Sequence, residues 1–137
     1  MAEIVPDPKL GARVSFRKTM TVAEQAMFTG ISGNLGALYV DAVKARAAGA
    51  SGPVAFELAV ASLATTCLSR LAGPARRISA LDLRFPAPVP VGGTVEASAE
   101  VVAIENGRIR CRLRCTLDEG GIVVEGEAVI AAFAGTG

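Results

Sequence analysis

Residues 55–71, AFELAVASLATTCLSRL, form a helix-length segment that is rich in alanine and leucine, two strong helix formers. Gly52 and Pro53 precede it, and Gly73 and Pro74 end it. The segment is apolar nearly all round, so other elements have to cover it. Its serines, threonines, glutamate and arginine make it too polar for the ~20 apolar residues of a membrane span. We therefore expect a long helix in the middle of a soluble core.

The rest of the chain after this helix is typical of β-strands. Four β segments follow with little between them, at about residues 77–85, 93–104, 108–117 and 122–133. Asn106 and Gly107 are a strong signal for a type I′ hairpin between the second and third segments. Residues 118–121, DEGG, predict a turn between the third and fourth. The sequence therefore predicts an antiparallel meander.

The residues before the long helix predict a strand and a short helix. Residues 13–19 have the character of a short strand. Thr21 and Glu24 have the spacing of a capping box, which predicts a helix from Val22 to about Phe28.

A glycine-containing loop at residues 31–40 comes next, after which Asp41 is placed to cap a short helix that ends near Gly49. The whole order predicts an α+β class domain, with an antiparallel sheet of about five strands wrapped around one long central helix. This is the hot-dog architecture, and we expect it to form a single domain over residues 1–137.

Composition limits the possible partners. The chain has 51% hydrophobic and 20% charged residues, which suits one compact domain. Fourteen basic and thirteen acidic residues leave a net charge of +1, so we expect neither nucleic acid nor a membrane surface as a partner. No basic region followed by an apolar stretch opens the sequence, which predicts a cytoplasmic protein.

The chain contains no histidine and three cysteines, Cys67, Cys111 and Cys115. The C-x3-C spacing of the last two has no histidine to complete a zinc site, so we predict no metal and buried, reduced thiols. Without histidine, Ser-His-Asp and Cys-His catalysis are excluded. Any chemistry has to use carboxylates, hydroxyls, amides or backbone groups.

Four arginines alternate with apolar residues over residues 108–115 and therefore line one face of a strand. They could clamp the phosphates of coenzyme A. Counting back from the 118–121 turn, however, places Arg114 opposite Glu125 and Arg112 opposite Glu127. We favour cross-strand ion pairs on a solvated face.

Three motifs resemble one known family. They are ISGNLGALYVD at residues 31–41, GPVAFE at residues 52–57 and LRFPAPVPVGGTV at residues 83–95. In this order and spacing they look like the MaoC-like (R)-specific enoyl-CoA hydratases and 3-hydroxyacyl thioester dehydratases. The resemblance extends from about Gly11 to Phe133 and implies a hot-dog fold.

The resemblance also implies a changed site. It places Asn34 where the family has its aspartate, Tyr39 where it has its histidine, and Phe56 and Glu57 where it has His-Gly. Hydration of an enoyl thioester requires a base for water and an acid for C2, and positioned groups of this kind are typically worth ~10²–10⁴ in rate. An amide is not a base, and a phenol with a pKa near ~10 is a poor one at neutral pH. We predict that Asn34, Tyr39 and Glu57 are the residues that a surviving activity would use.

Further residues follow from the same resemblance. Backbone N–H groups at the start of the central helix, that of Glu57 among them, could stabilise an enolate oxygen. Thr65, Asp41 and Phe56 are candidates for binding substrate, although a hydroxyl such as that of Thr65 can equally bond back to its own helix. Glu57 is either an ordinary exposed carboxylate in a first helical turn or, as in some hot-dog thioesterases, a nucleophile or base.

These observations leave three hypotheses for function. The first is an acyl-thioester-binding protein of the hydratase and dehydratase group that works as a divergent lyase. The second is an acyl-CoA thioesterase that uses Glu57, and the third is a non-catalytic subunit or binding protein. The expected partners are the acyl thioester and a second copy of the chain, or a catalytic paralogue in a heterodimer. No cofactor is expected beyond the coenzyme A or phosphopantetheine of the substrate.

Overall fold

A computed structural model describes residues 8–134 of the chain. The elements, in chain order, are β1 (Arg13–Thr19), α1 (Val22–Ser32), α2 (Ala37–Val40), α3 (Ala42–Ala47), α4 (Glu57–Ala72), β2 (Arg76–Arg84), β3 (Thr94–Glu105), β4 (Arg108–Leu117) and β5 (Ile122–Ala132). All five strands form one antiparallel sheet, and α4 packs against it. The predicted hot-dog fold is confirmed. None of the helices within the described range is long and apolar enough to cross a membrane.

The central helix begins two residues later than predicted, at Glu57, and ends one residue later, at Ala72. Its buried positions include Val60, Ala64 and Leu68, which carry apolar side chains onto the sheet. The helix is not covered all round, however. One stripe is exposed, and it consists of Leu58, Ser62, Thr65 and Ser69.

The sheet order is β1-β3-β4-β5-β2, so the prediction of a four-strand meander is wrong. Only β3, β4 and β5 follow one another as neighbours, whereas β2 pairs with β5 at the far edge. The loop of residues 85–93 connects β2, at the edge, to β3, and therefore has to pass β5 and β4. Along this path it is hydrogen-bonded to the chain just before α4. Val89 O accepts from Ala55 N at 2.7 Å, and Val91 N donates to Pro53 O at 3.0 Å. The prolines in this loop are compatible with such a path because a proline has no N–H to donate to a sheet.

The hairpin prediction at Asn106 and Gly107 is confirmed, with φ of 51° and 75° at the two positions. The predicted register between β4 and β5 is also confirmed, since Arg112 faces Glu127 and Arg114 faces Glu125. All four arginines are exposed.

Two ion pairs lie on this face, one between direct register partners on β3 and β4 and one between residues two positions out of register on β4 and β5. Arg112 Nη1 lies 3.2 Å from Glu100 Oε1 on β3, and Arg110 Nε lies 3.9 Å from Glu127 Oε2. Exposed pairs of this kind each contribute only ~0.2–1 kcal/mol.

The predicted burial of the cysteines is confirmed, since Cys67, Cys111 and Cys115 are free and buried. Burial raises the pKa of Cys111 to about 11 and that of Cys115 to about 12. These thiols therefore stay protonated at neutral pH and act as core residues.

The first helix begins at Val22 behind the predicted capping box. It continues to Ser32, four residues beyond the predicted end. The region predicted as the 31–40 loop also contains the short helix α2. Asp41 caps α3, as predicted.

Gly126 in β5 provides a test of the β2–β5 pairing. A Cβ at this position would lie 1.9 Å from Asp82 O of the neighbouring strand. We expect Gly126→Ala to lower the free energy of unfolding by at least about 2 kcal/mol, because two backbones have to separate. Gly30→Ala is the matched control, since Gly30 is helical and has open space around its Cβ position. It should stabilise the protein by ~0.5–1 kcal/mol. Urea unfolding measures both, and equal effects would contradict the pairing.

Glu24 provides a test of the capping box. Its carboxylate accepts from Thr21 N at 3.1 Å and lies 2.7 Å from Lys18 Nζ. The contacts with Lys18 and Thr21 lower the pKa of Glu24 from 4.5 to about 2. A lowered pKa adds stability above pH 4.5 that disappears as the pH falls toward 2. Glu24→Gln should therefore be less stable than the native protein at pH 7, and this difference should shrink as the pH falls from 4.5 through 2, whereas Glu119→Gln should match the native protein throughout.

Candidate functional site

Three segments meet at the beginning of α4. They are α1, the single helical turn α2 that contains Tyr39 (the Tyr39 turn), and the extended residues 53–56. Val54 N donates to Leu38 O at 3.0 Å, which joins the second and third segments. Each of the three contributes at least one side chain to the site.

Tyr39 and Glu57 are brought together here. The phenol Oη donates to Glu57 Oε1 at 2.7 Å, and both side chains are partly buried. The hydrogen bond to Glu57 raises the pKa of Tyr39 above its ordinary value, and burial adds to the effect. Tyr39 therefore keeps its proton at neutral pH and serves as a donor. The carboxylate of Glu57 is consequently not the freely exposed helix-start group that was one of our two interpretations.

Phe56 packs against Tyr39 and thereby supports the Tyr39–Glu57 pair. Its ring is 2% exposed and stacks on the Tyr39 ring, with centroids 4.5 Å apart and planes 19° apart. The ring of Phe28 on α1 also contacts the Phe56 ring, with 4.7 Å between the two centroids. Such aromatic pairs are worth ~0.5–1.5 kcal/mol beyond the area they bury, so the stack restrains the Tyr39 ring.

Asn34 lies close to Tyr39, across Gly36. A Cβ added at Gly36 would be 3.1 Å from Asn34 Oδ1 and 3.2 Å from Tyr39 Cδ2. Asn34 is exposed, and its Oδ1 accepts from Gly36 N at 2.8 Å. The amide oxygen therefore holds the turn, while the amide nitrogen makes no hydrogen bond with any described residue.

Two of the predicted site residues make hydrogen bonds that do not involve the Tyr39–Glu57 pair. Asp41 Oδ1 accepts from Val43 N and Lys44 N at 3.0 and 3.1 Å, so this carboxylate oxygen caps α3. Thr65 lies eight residues after Glu57 along α4, which is ~12 Å of helix. Its Oγ1 donates to Ser62 O at 2.6 Å, so this hydroxyl bonds back to its own helix. Their roles in substrate binding stay predictions.

Sequence reasoning missed Gln25. Its side chain is 8% exposed and makes hydrogen bonds to the backbone of Tyr39, Val54 and Phe56. The available signal was its position three residues before Phe28, which places the two side chains on one face of α1. A polar residue on an otherwise packed face usually has partners inside.

The space around the site is of two kinds. Beside Glu57, a crevice of ≈10 Å³ is closed by Phe85 and Val123, among others, and holds at most about one water. An open apolar groove of ≈350 Å³ runs between α1 and α4, and Phe28 and Ser62 line it. Sequence reasoning missed Ser62 as a lining residue.

The start of α4 also carries free donors. Phe56 is the N-cap residue, and within the described chain no side chain caps this helix. The N–H groups of the first helical turn therefore lack helical partners, and the helix dipole places a partial positive charge beside Glu57. A carboxylate or a developing oxyanion is favoured at this position.

Known structures share this fold. The (R)-hydratase from A. caviae involved in PHA biosynthesis superposes with a TM-score of 0.86 and 28% identity, over 90% of this chain and 96% of that chain. The ChsH1-ChsH2 complex from Mycobacterium tuberculosis has a chain with a TM-score of 0.82 and 21% identity, over 90% and 98%. The second similarity shows the fold alone.

Sequence comparison gives the family. The (R)-specific enoyl-CoA hydratase of Rhodospirillum rubrum is 30% identical over 127 residues, which is 90% of this chain and 88% of that protein. The 3-hydroxybutyryl-CoA dehydratase of Methylorubrum extorquens is 29% identical over 126 residues, which is 90% and 80%. The model of the MaoC like domain matches residues 6–119. The chain therefore belongs to the MaoC-like family, the hot-dog group of enoyl-CoA hydratases and dehydratases.

Proposed function

We propose that this protein binds an acyl thioester, carried on coenzyme A or on an acyl carrier protein, and acts on it as a divergent hydro-lyase. In this proposal Glu57 and Tyr39 do the work of the aspartate and histidine that the resemblance leads us to expect. The observation that carries the proposal is the 2.7 Å hydrogen bond between Tyr39 Oη and Glu57 Oε1 at the start of α4. It holds an acceptor and a donor side by side in a chain without histidine.

The reaction would proceed in two proton transfers. Glu57 takes a proton from water while the water oxygen bonds to C3 of the enoyl group. The π electrons of the C2–C3 bond form a double bond between C2 and the thioester carbon, and the π electrons of the C=O bond move to its oxygen, which gives an enolate. Glu57 then returns its proton to C2, so that one water is added in total. Dehydration follows the same steps in reverse.

Two further groups would stabilise the charge during these steps. The free N–H groups in the first turn of α4, together with the helix dipole, favour a negative charge beside them and would bind the enolate oxygen. Tyr39 stays protonated, so its hydroxyl would hold the carboxylate of Glu57 in one orientation and donate to it. A phenol in this role is a positioned donor and not a base.

Turnover of crotonyl-CoA, followed by loss of the enoyl absorbance, tests this proposal. We expect the native protein to hydrate it, and Glu57→Gln to lose ~10²–10⁴ in kcat, because the amide cannot accept the proton. Tyr39→Phe should lose less than Glu57→Gln, since the base remains. Glu119→Gln, a change in an exposed turn, should retain the native rate. Equal rates for the native protein and Glu57→Gln would contradict the proposal.

A thioesterase is the second candidate, because the same half-buried carboxylate could attack the thioester carbonyl directly, or could activate a water that attacks it. Release of free coenzyme A thiol, without loss of the enoyl group from the acyl product, distinguishes it from a lyase.

A non-catalytic subunit is the third candidate, because the chain has no histidine and has Asn34 where the resemblance leads us to expect an aspartate. Absence of turnover together with co-purification of a paralogue that has the missing aspartate and histidine would support this candidate.

We also propose that the chain pairs with a second copy of itself through β2. This strand lies at the edge of the sheet. Leu81 of β2 is opposite Ala128, which is 1% exposed, yet Leu81 itself is 50% exposed. A second copy at this edge would cover Leu81 and the outer edge of the strand.

Sedimentation tests the dimer. The native protein should sediment as a dimer, and Leu81→Arg should shift it toward monomer because a charge would be buried in the interface. Ile104→Arg, which places the same change at the end of the β3–β4 hairpin, should remain dimeric. A native monomer, or equal behaviour of the two variants, would contradict this arrangement.

A further inference from the structure

Gln25 is the one polar or charged residue that falls among the buried residues of the described chain. It is 8% exposed and lies on α1, one helical turn before Phe28. A buried amide is costly unless its hydrogen-bonding groups are satisfied, so its partners indicate why it is there.

Its three hydrogen bonds all go to the backbone around the site. Nε2 donates to Tyr39 O at 3.0 Å and to Val54 O at 2.9 Å. Oε1 accepts from Phe56 N at 3.1 Å. Both amide protons and one lone pair of the oxygen are used, and this set of bonds requires the planar amide of glutamine or asparagine.

These bonds connect the two halves of the candidate site. The Tyr39 carbonyl belongs to the residue whose phenol meets Glu57, and the Phe56 amide belongs to the residue that precedes Glu57 in the chain. Gln25 thus joins the Tyr39 turn to the start of α4 through the carbonyl of Tyr39 itself and the N–H of the residue before Glu57.

We propose that Gln25 is a positioning residue that sets the distance between Tyr39 and Glu57 by holding their backbones together. The inference rests on the proposed function for its catalytic meaning, but the geometry that it describes is measurable without substrate. Gln25 touches no reacting atom in this proposal and acts only through the other two residues.

The composition of the chain supplies a specific probe. Tyr39 is its single tyrosine, and there is no tryptophan. The near-ultraviolet absorbance of tyrosinate during an alkaline titration therefore reports the pKa of Tyr39 alone. The hydrogen bond to Glu57 raises this pKa, so its loss returns the pKa toward the ordinary ~10.

The experiment compares the native protein with four variants, all kept folded through the titration. One of them, Gln25→Glu, keeps the length and acceptor oxygens of the side chain without its amide donors and is the second variant at this position. Glu57→Gln is the reference in which the carboxylate is lost, and it should titrate at lower pH than the native protein. Gln25→Met keeps the length and volume of the side chain without its hydrogen bonds, and we expect its Tyr39 pKa to fall toward that of Glu57→Gln. Val101→Ala removes buried volume from the sheet, away from these contacts, and should keep the native Tyr39 pKa although it is less stable.

Two results would overturn the inference. One is a folded Gln25→Met protein whose Tyr39 titrates as in the native protein. The other is failure of both Gln25→Met and Gln25→Glu to fold while Val101→Ala folds, which would make Gln25 a requirement of the whole fold.

Kinetics with crotonyl-CoA separate this inference from the proposed function. We expect Gln25→Met to lower kcat at least tenfold with KM within about twofold of native, because orientation and not binding is lost. A native protein that does not hydrate crotonyl-CoA, combined with a shifted titration in Gln25→Met, would refute the proposed function and leave the positioning role of Gln25 in place.

Discussion

The packing of α4 against the sheet is the constraint on which the rest of the structure depends. Its buried face is apolar and consists mostly of small residues, with alanines and one cysteine beside two leucines and one valine, which allows the helix to lie close to the strands. The helix begins where residues 53–55 are hydrogen-bonded to the crossing loop of residues 85–93. The first helical turn, with its free N–H groups, is therefore placed beside the Tyr39 turn.

Chemistry at this position depends on what the chain lacks as much as on what it has. Without histidine, no group in the site has an ordinary pKa near neutrality. The Tyr39–Glu57 hydrogen bond gives the two side chains opposite roles, because it holds the proton on the phenol and leaves the carboxylate as the acceptor. Family membership establishes the scaffold, and the proposal for its activity rests on this pair.

Local rules in the sequence predicted much of the fold. The capping box at Thr21, the hairpin at Asn106 and the alternation of arginines along β4 are each decided by neighbours within a few residues, and all three are confirmed. The partner of β2 is decided instead by a long crossing loop, so the meander rule failed there. In the site, the resemblance selected Tyr39 and Glu57, but their contact joins residues 18 positions apart and required the structure. Gln25 was missed because its partners are backbone atoms, which leave no pattern of side chains in the sequence.

Whether the Tyr39–Glu57 pair hydrates an enoyl thioester is tested by the mass of the thioester after incubation of the native protein with crotonyl-CoA in water and, separately, in D2O. We expect a product heavier by one water, with coenzyme A still attached, and with deuterium bound to C2 when the solvent is D2O. An unchanged thioester, or free coenzyme A with the acyl group unhydrated, would contradict the assignment of the Tyr39–Glu57 pair to a hydro-lyase.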